Sequence, residues 1–248
     1  MKRTILSSLA IIFISTLTMA VTSKNVSYKS GNEAVHAALY TPAGNGPFPA
    51  LVVIHEWDGL NDWVKEQAQK LADQGYVALA VDLYRGRVAK TPEEAHELMR
   101  GLPQDRGLRD LRAAVAYLES QKNVDPKKIG AIGWCMGGSW ALTLAEHEPT
   151  LAAAVVNYGN LSSDDESLKP INAAILGSFG AQDRGIPAED VKKFEQQMKA
   201  LGKRVEVKIY ADAGHRFENE THTDTYRAQD AEDAWRRTVA FLQENLKK

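Results

Sequence analysis

The chain has one cysteine, Cys135, in Gly133-Trp134-Cys135-Met136-Gly137-Gly138, directly after the apolar run Ile129-Gly130-Ala131-Ile132. An apolar strand entering a turn with small residues two positions either side of a nucleophile has the form of a nucleophile elbow, where crowding leaves no room for larger side chains. A thiol attacks only as thiolate, a form favoured by a nearby histidine and by a helix N-terminus. Two such partners follow in the chain. Asp183 lies in Gly180-Ala181-Gln182-Asp183-Arg184 and His215 in Asp212-Ala213-Gly214-His215-Arg216-Phe217, each in a turn after an expected strand. In acyl transfer, His215 would take the thiol proton and return it to the leaving oxygen, while Asp183 would fix the imidazole tautomer and stabilise the imidazolium. Asp212 is the rival acid, and its closeness to His215 reads it as a turn residue. Singly, a cysteine is a small buried hydrophobe, an aspartate a turn former and a histidine a surface group. Their order at three successive strand ends favours catalysis.

Acyl transfer also needs donors for an oxyanion, each typically worth ~10²–10³ in rate. One is expected from the backbone N–H of Met136, and the other from Trp57 in His55-Glu56-Trp57-Asp58-Gly59. His55-Glu56 lacks the second histidine of a zinc-protease helix, since position 59 is Gly, and neither a dinucleotide nor a P-loop glycine pattern occurs. No metal and no organic cofactor is expected. The competing class is a non-catalytic ligand-binding or thiol-redox protein on the same fold, with tight binding or reversible Cys135 oxidation as its sign. The redox form is weakened by the lack of a resolving cysteine.

The elements that must position these groups alternate. Val35 to Tyr40 has period two; Ala50 to Ile54, Tyr76 to Val81, Ile129 to Ile132, Leu151 to Val156 and Ala173 to Leu176 are buried-strand runs; Val205 to Tyr210 alternates. Between them, helical spacing covers Trp63 to Leu71, Leu108 to Leu118, Met136 to Ala145 and Val191 to Leu201, and a C-terminal amphipathic helix carries Ala234, Trp235, Thr238, Leu242 and Leu246. This is an α/β chain with a mostly parallel sheet covered by helices on both faces, and ligands bind there at the carboxyl ends of the strands. Of the tryptophans at 57, 63, 134, 140 and 235, Trp57 and Trp134 are expected near the site and the others in the core.

With 248 residues, 44% hydrophobic and 25% charged, the chain can bury one substantial core, and no linker or repeat divides it. Lys2 and Arg3 before the mostly apolar run Ile5 to Ala20 predict a secretory signal, cleaved after Ala20 or as late as Ser23, with a retained anchor as the alternative. Residues 24–248 are then a single domain, secreted or periplasmic, without stable membrane association once the signal is gone. Removal of the signal takes the formal charge from −2 to −4. Scattered basic residues without a run offer nucleic acid no footprint. A single cysteine allows no internal disulfide, and the expected state is a monomer. The sequons at Asn25, Asn160 and Asn219 matter only in a glycosylating host.

The chain resembles the dienelactone hydrolase family, a branch of the α/β-hydrolases with a cysteine nucleophile. The resemblance rests on Gly133 to Gly138, His55-Glu56-Trp57-Asp58-Gly59-Leu60, Val81-Asp82-Leu83-Tyr84 and Ala213-Gly214-His215-Arg216-Phe217, and spans nearly all of the chain after the signal. The nucleophile, acid, histidine order is that of the α/β-hydrolases. The resemblance implies an ester or lactone hydrolase of small molecules with Cys135, Asp183 and His215 as its triad. It further implies that Glu56 is the family glutamate that contacts the resting thiol. Members that open dienelactones resemble one another in holding the substrate carboxylate with two arginines, one shortly after Asp-Leu-Tyr and one four residues after the histidine. Here Tyr84 is followed by Arg85, Gly86 and Arg87, and position 219 is Asn. Arg85, Arg87 and Arg216, with Tyr84 and Trp134, are the candidate substrate contacts. The other reading of the three arginines is ordinary surface charge, which puts dienelactone specificity in doubt.

Overall fold

A computed structural model describes residues 20–248. The expected signal, apart from its last residue, lies outside them. Eight strands form one sheet: β1 (Thr22–Ser30), β2 (Glu33–Thr41), β3 (Phe48–Ile54), β4 (Val77–Val81), β5 (Val124–Trp134), β6 (Ala153–Asn157), β7 (Ala174–Gly180) and β8 (Val205–Tyr210). Their spatial order is β1-β2-β4-β3-β5-β6-β7-β8. From β4 to β8 every pairing is parallel, and β2 and β1 continue the sheet antiparallel. The helices are α1 (Asp62–Asp73), α2 (Pro92–Arg100), α3 (Gln104–Glu119), α4 (Met136–His147), α5 (Asp165–Leu168), α6 (Ala188–Ala200) and α7 (Ala228–Leu246). Among the described residues, no helix is long and apolar enough to cross a membrane.

Central strands read as continuous apolar runs because both of their faces are covered. Ala50, Val52 and Ile54 of β3 pack into a core with Leu111 and Ala114 of α3, Trp140 and Leu144 of α4, and Val191 and Phe194 of α6. Leu51 and Val53 point the other way, into a second core with Val64 and Leu71 of α1 and Leu242 and Leu246 of α7. Strand parity thus assigns each side chain to a layer. The shared direction of the parallel strands places the turns after β3, β5, β6, β7 and β8 along one edge, where His55, Glu56, Cys135, Tyr158, Asp183 and His215 lie.

Two strands depart from the sequence expectation, whereas a helix lies where one was expected, around Pro92 to Gly101. Strand β1, at the sheet edge where no strand was expected, has its first four residues exposed and alternates only from Val26 to Ser30. Strand β5 starts at Val124, before its apolar stretch, with Asp125, Lys127 and Lys128 in its polar first half. Helix α2, capped by the Thr91 side chain with Pro92 at its start, buries only Ala95 and Leu98. So narrow a stripe is a weak periodic signal.

Helices α3 and α4 approach most closely at Gly107, where a Cβ would lie 2.5 Å from the Trp140 ring. Because a buried indole cannot simply swing aside, Gly107→Ala is expected to destabilise the protein by about 1–3 kcal/mol. Urea unfolding would show this as a lower midpoint at unchanged slope.

Candidate active site

The turn between β5 and α4 sets the geometry. A Cβ on Gly133 would lie 2.1 Å from the Gly137 carbonyl oxygen, and one on Gly137 would lie 2.2 Å from that of Ile54. Helix α4 is therefore seated directly on β3 and β5, and the chain must reverse within one residue. Cys135 takes that strain, with φ 54° and ψ −119°, a conformation that costs on the order of 1–3 kcal/mol for a residue with a side chain. Its N–H donates to the Asn157 carbonyl at 3.0 Å, and its carbonyl accepts from Ser139 N at 3.2 Å. Met136 is the first residue of α4, so its N–H has no intrahelical acceptor and sits at the positive end of the helix.

His215 Nε2 lies 3.1 Å from Cys135 Sγ, and His215 Nδ1 donates to Asp183 Oδ2 at 2.6 Å. The other Asp183 oxygen accepts from Gly185 N at 2.8 Å and Ile186 N at 3.2 Å. Burial opposes charge on both groups, but the contacts prevail. The His215 imidazole would be pushed down by burial, yet its hydrogen bonds to Asp183 and Cys135 raise it to about 10. Burial would raise Asp183, while His215 and the two backbone donors bring it below the usual carboxylate value. The expected rival Asp212 is exposed and bonds to Arg227 only through its backbone carbonyl.

Cys135 and His215 line a cavity of about 280 Å³, with Asp183 behind the imidazole. Met99, Leu102, Met136, Trp140, Tyr158 and Ile186 give it an apolar part and Gln104, Ser139, Thr143 and Asn160 a polar one, and among the described residues no arginine or lysine lines it. Tyr158 was not anticipated. It is fully buried, and its ring stands edge-on to His215 with centroids 5.3 Å apart, which fixes one face of the imidazole. Its position just after the β6 run was the available clue, since every other residue of the site also follows a parallel strand.

Comparisons with known proteins give the family of the chain. Residues 35–246 match the profile of the dienelactone hydrolase family. The chain belongs to the dienelactone hydrolase family. A Bradyrhizobium protein named "probable 2-oxo-3-(5-oxofuran-2-ylidene)propanoate lactonase" is 31% identical over 230 residues, covering 88% of this chain and 92% of its own. Protein usf of Aquifex pyrophilus is 32% identical over 228 residues, covering 89% of this chain and 98% of its own. A dienelactone hydrolase-like promiscuous phosphotriesterase from metagenomic libraries superposes with TM-score 0.84 at 27% identity, covering 91% of this chain and 99% of its own. The α/β-hydrolase architecture and hydrolase class follow for this member of the dienelactone hydrolase family.

Several residues singled out from the sequence lie elsewhere. Glu56 does not contact the thiol. It is fully buried, and its carboxylate accepts from Arg216 Nη2 at 2.7 Å, Arg216 Nε at 3.3 Å and Asn219 Nδ2 at 2.7 Å. Arg216 also binds Asp58 at 3.0 Å, which makes it a structural clamp and removes it from the substrate contacts. Glu56, Asp58 and His222 bring ligand-type atoms within 4.8 Å of one another, and the cation between the two carboxylates is the Arg216 guanidinium. Asn219 is fully buried, so its sequon is closed.

Arg85 pairs with buried Asp110 at 2.7 Å and with Glu33 at 2.9 Å, and Arg87 lines a separate hollow with His36 and Asp82. Neither lines the catalytic cavity. The Tyr84 hydroxyl sits 3.0 Å from the Trp57 carbonyl oxygen and 3.1 Å from Met136 Sδ, so Tyr84 braces the two expected oxyanion segments from behind. Trp134 shares strand parity with Ile132 and packs against Trp63 in the opposite layer, its Nε1 donating to Glu218 at 3.1 Å. His55 is also structural: its Nε2 accepts from Leu83 N at 3.3 Å and its Nδ1 donates to the Glu56 carbonyl at 2.6 Å, with burial holding the ring neutral.

Loss of Arg216 would leave Glu56 buried with Asn219 as its single partner. Arg216→Ala is expected to cost about 3–5 kcal/mol of stability, and adding Glu56→Gln should recover part of that loss. Chemical denaturation of the two single variants and the double variant measures the coupling.

Proposed function

We propose that the protein hydrolyses carboxylic esters or lactones through a thioester on Cys135. The observation that carries this reading is the hydrogen-bonded line from Asp183 through His215 to Cys135 Sγ, ending at the cavity. With His215 holding the proton, Sγ is the thiolate partner of an imidazolium. Sulfur attacks the carbonyl carbon, a C–S bond forms, and the carbonyl π pair moves to oxygen. The Met136 N–H, with Trp57 N–H as second donor, stabilises that oxyanion. Collapse re-forms the carbonyl and breaks the bond to the leaving oxygen, which takes the proton from His215 Nε2.

Water then attacks the thioester while giving a proton to Nε2. A second collapse releases the acid and returns the thiolate. Asp183 stays ionised throughout and keeps Nδ1 protonated, so that Nε2 is always the nitrogen facing the reacting atoms. In this reading Glu56 keeps Arg216, next to His215, anchored, and takes no proton from the thiol.

The walls also bear on substrate. A carboxylate placed in the cavity would meet no guanidinium among the described residues.

Cys135→Ala is expected to lower kcat/KM for a short aryl ester by about 10⁴-fold or more, because the remaining binding and oxyanion donors supply only residual acceleration. For an alkyl ester, whose leaving oxygen needs a proton, the wild-type rate should fall as pH rises through about 10, where His215 loses it. Hydrolysis that survives Cys135→Ala contradicts the proposal.

A further inference from the structure

The geometry points to an ester with an unbranched hydrocarbon chain of about six to eight carbons in one of its halves, laid along α4 from Cys135 to Thr143. This rests on the ester hydrolysis proposed above. Met136, Ser139, Trp140 and Thr143 all line the catalytic cavity, and they fall on one face of α4. The cavity is therefore a trough that follows the helix. From Met136, beside the nucleophile, to Thr143, two turns on, it runs about 10 Å at the helical rise of about 1.5 Å per residue. An extended chain advances about 1.2 Å per bond, so about eight bonds span that distance.

Apolar side chains from three other segments complete the trough. Met99 comes from α2, Leu102 from the connection to α3, and Ile186 from the turn after β7. Leu102, Met136, Trp140 and Ile186 belong to one of the two hydrophobic cores and Met99 packs on it, so the trough is an open extension of that core. Its polar groups do not oppose a hydrocarbon. The Ser139 hydroxyl is already engaged, accepting from Asn160 N at 2.8 Å and lying 3.4 Å from the Cys135 carbonyl oxygen. Gln104 and Asn160 are exposed, so their amides stay in water. Thr143 is half-buried and is the residue of α4 farthest from Cys135 that lines the trough.

A charged chain would go unmatched here. Apart from Cys135 and His215, no charged side chain lines the trough among the described residues, so a carboxylate or ammonium beyond the scissile bond would lose water without gaining a partner. A hydrocarbon chain gains instead. Each methylene taken out of water against these walls strengthens binding about two- to fourfold, and the gain ends where the chain passes Thr143 into solvent. The acyl and alkoxy halves leave the scissile carbonyl in different directions, so only one of them enters the trough.

The test measures kcat/KM on the full chain along two series: p-nitrophenyl esters from acetate through butanoate, hexanoate and octanoate to dodecanoate, and alkyl acetates from ethyl through butyl and octyl to dodecyl. We expect one series, which identifies the half, to rise about two- to fourfold per methylene up to roughly eight carbons and then to level or fall. In Thr143→Phe, whose ring fills the far end, the ratio of octanoate to butanoate, or of octyl to butyl, should drop about tenfold. Thr143→Val, matched in shape, should keep the ratio or raise it. Both substrates of a ratio are read on one preparation, so partial misfolding leaves it unaffected, and the wild-type series decides the inference alone if Thr143→Phe does not fold. No rise in either series, equal rises in both, a rise that continues unchanged to the dodecyl length, or a ratio that folded Thr143→Phe leaves in place overturns the inference. Turnover of the acetates then keeps the ester hydrolysis reading standing, whereas failure of every ester removes that reading with it.

Discussion

The close seating of α4 on β3 and β5 governs the whole catalytic edge. Gly133 and Gly137 permit backbone-to-backbone contact that any Cβ would block. The reversal this forces puts Cys135 at positive φ and lifts its side chain out of the core. The same contact brings the N-terminus of α4, with the Met136 N–H, next to the segment that follows β3. Nucleophile placement, oxyanion donors and helix field therefore come from one packing constraint. Its conformational cost, on the order of 1–3 kcal/mol, is small beside the burial of the surrounding strands.

A second constraint holds the opposite wall. Glu56, fully buried, is kept by Arg216 and Asn219, and Arg216 reaches on to Asp58. This cluster ties the loop after β3 to the loop that carries His215, on the far side of the molecule in sequence. A buried carboxylate with one partner would be costly, but three donors and a second carboxylate for the guanidinium complete the set. The histidine loop is consequently positioned by electrostatics where the cysteine turn is positioned by sterics. Arg216 is committed to this tie, and among the described residues no arginine lines the cavity.

What the sequence made legible follows from strand physics. Central parallel strands are buried on both faces and write themselves as apolar runs, so β3 to β7 and the residues after them could be located, including Cys135 and Asp183, while the alternation of β8 located the turn that carries His215. Edge strand β1 leaves too little periodic signal. Tyr158 follows a strand but carries no motif. The fates of Arg85, Arg216 and Glu56 depend on partners 25 to 163 positions away, which spacing does not encode. Trp134 is a different case, since its parity with Ile132 already assigned it to the layer beneath α1, away from the cavity. Adjacency to the nucleophile outweighed parity in the expectation.

The central claim is that acyl groups pass through Cys135. Its most direct test is rapid acid quenching during turnover of a slow ester, followed by mass spectrometry of the peptide that contains Cys135. The account predicts one acyl group on that sulfur, appearing within a turnover and lost as product forms. Turnover with unmodified Cys135 at every quench time, or an acyl group on another residue formed at a competent rate, would contradict it.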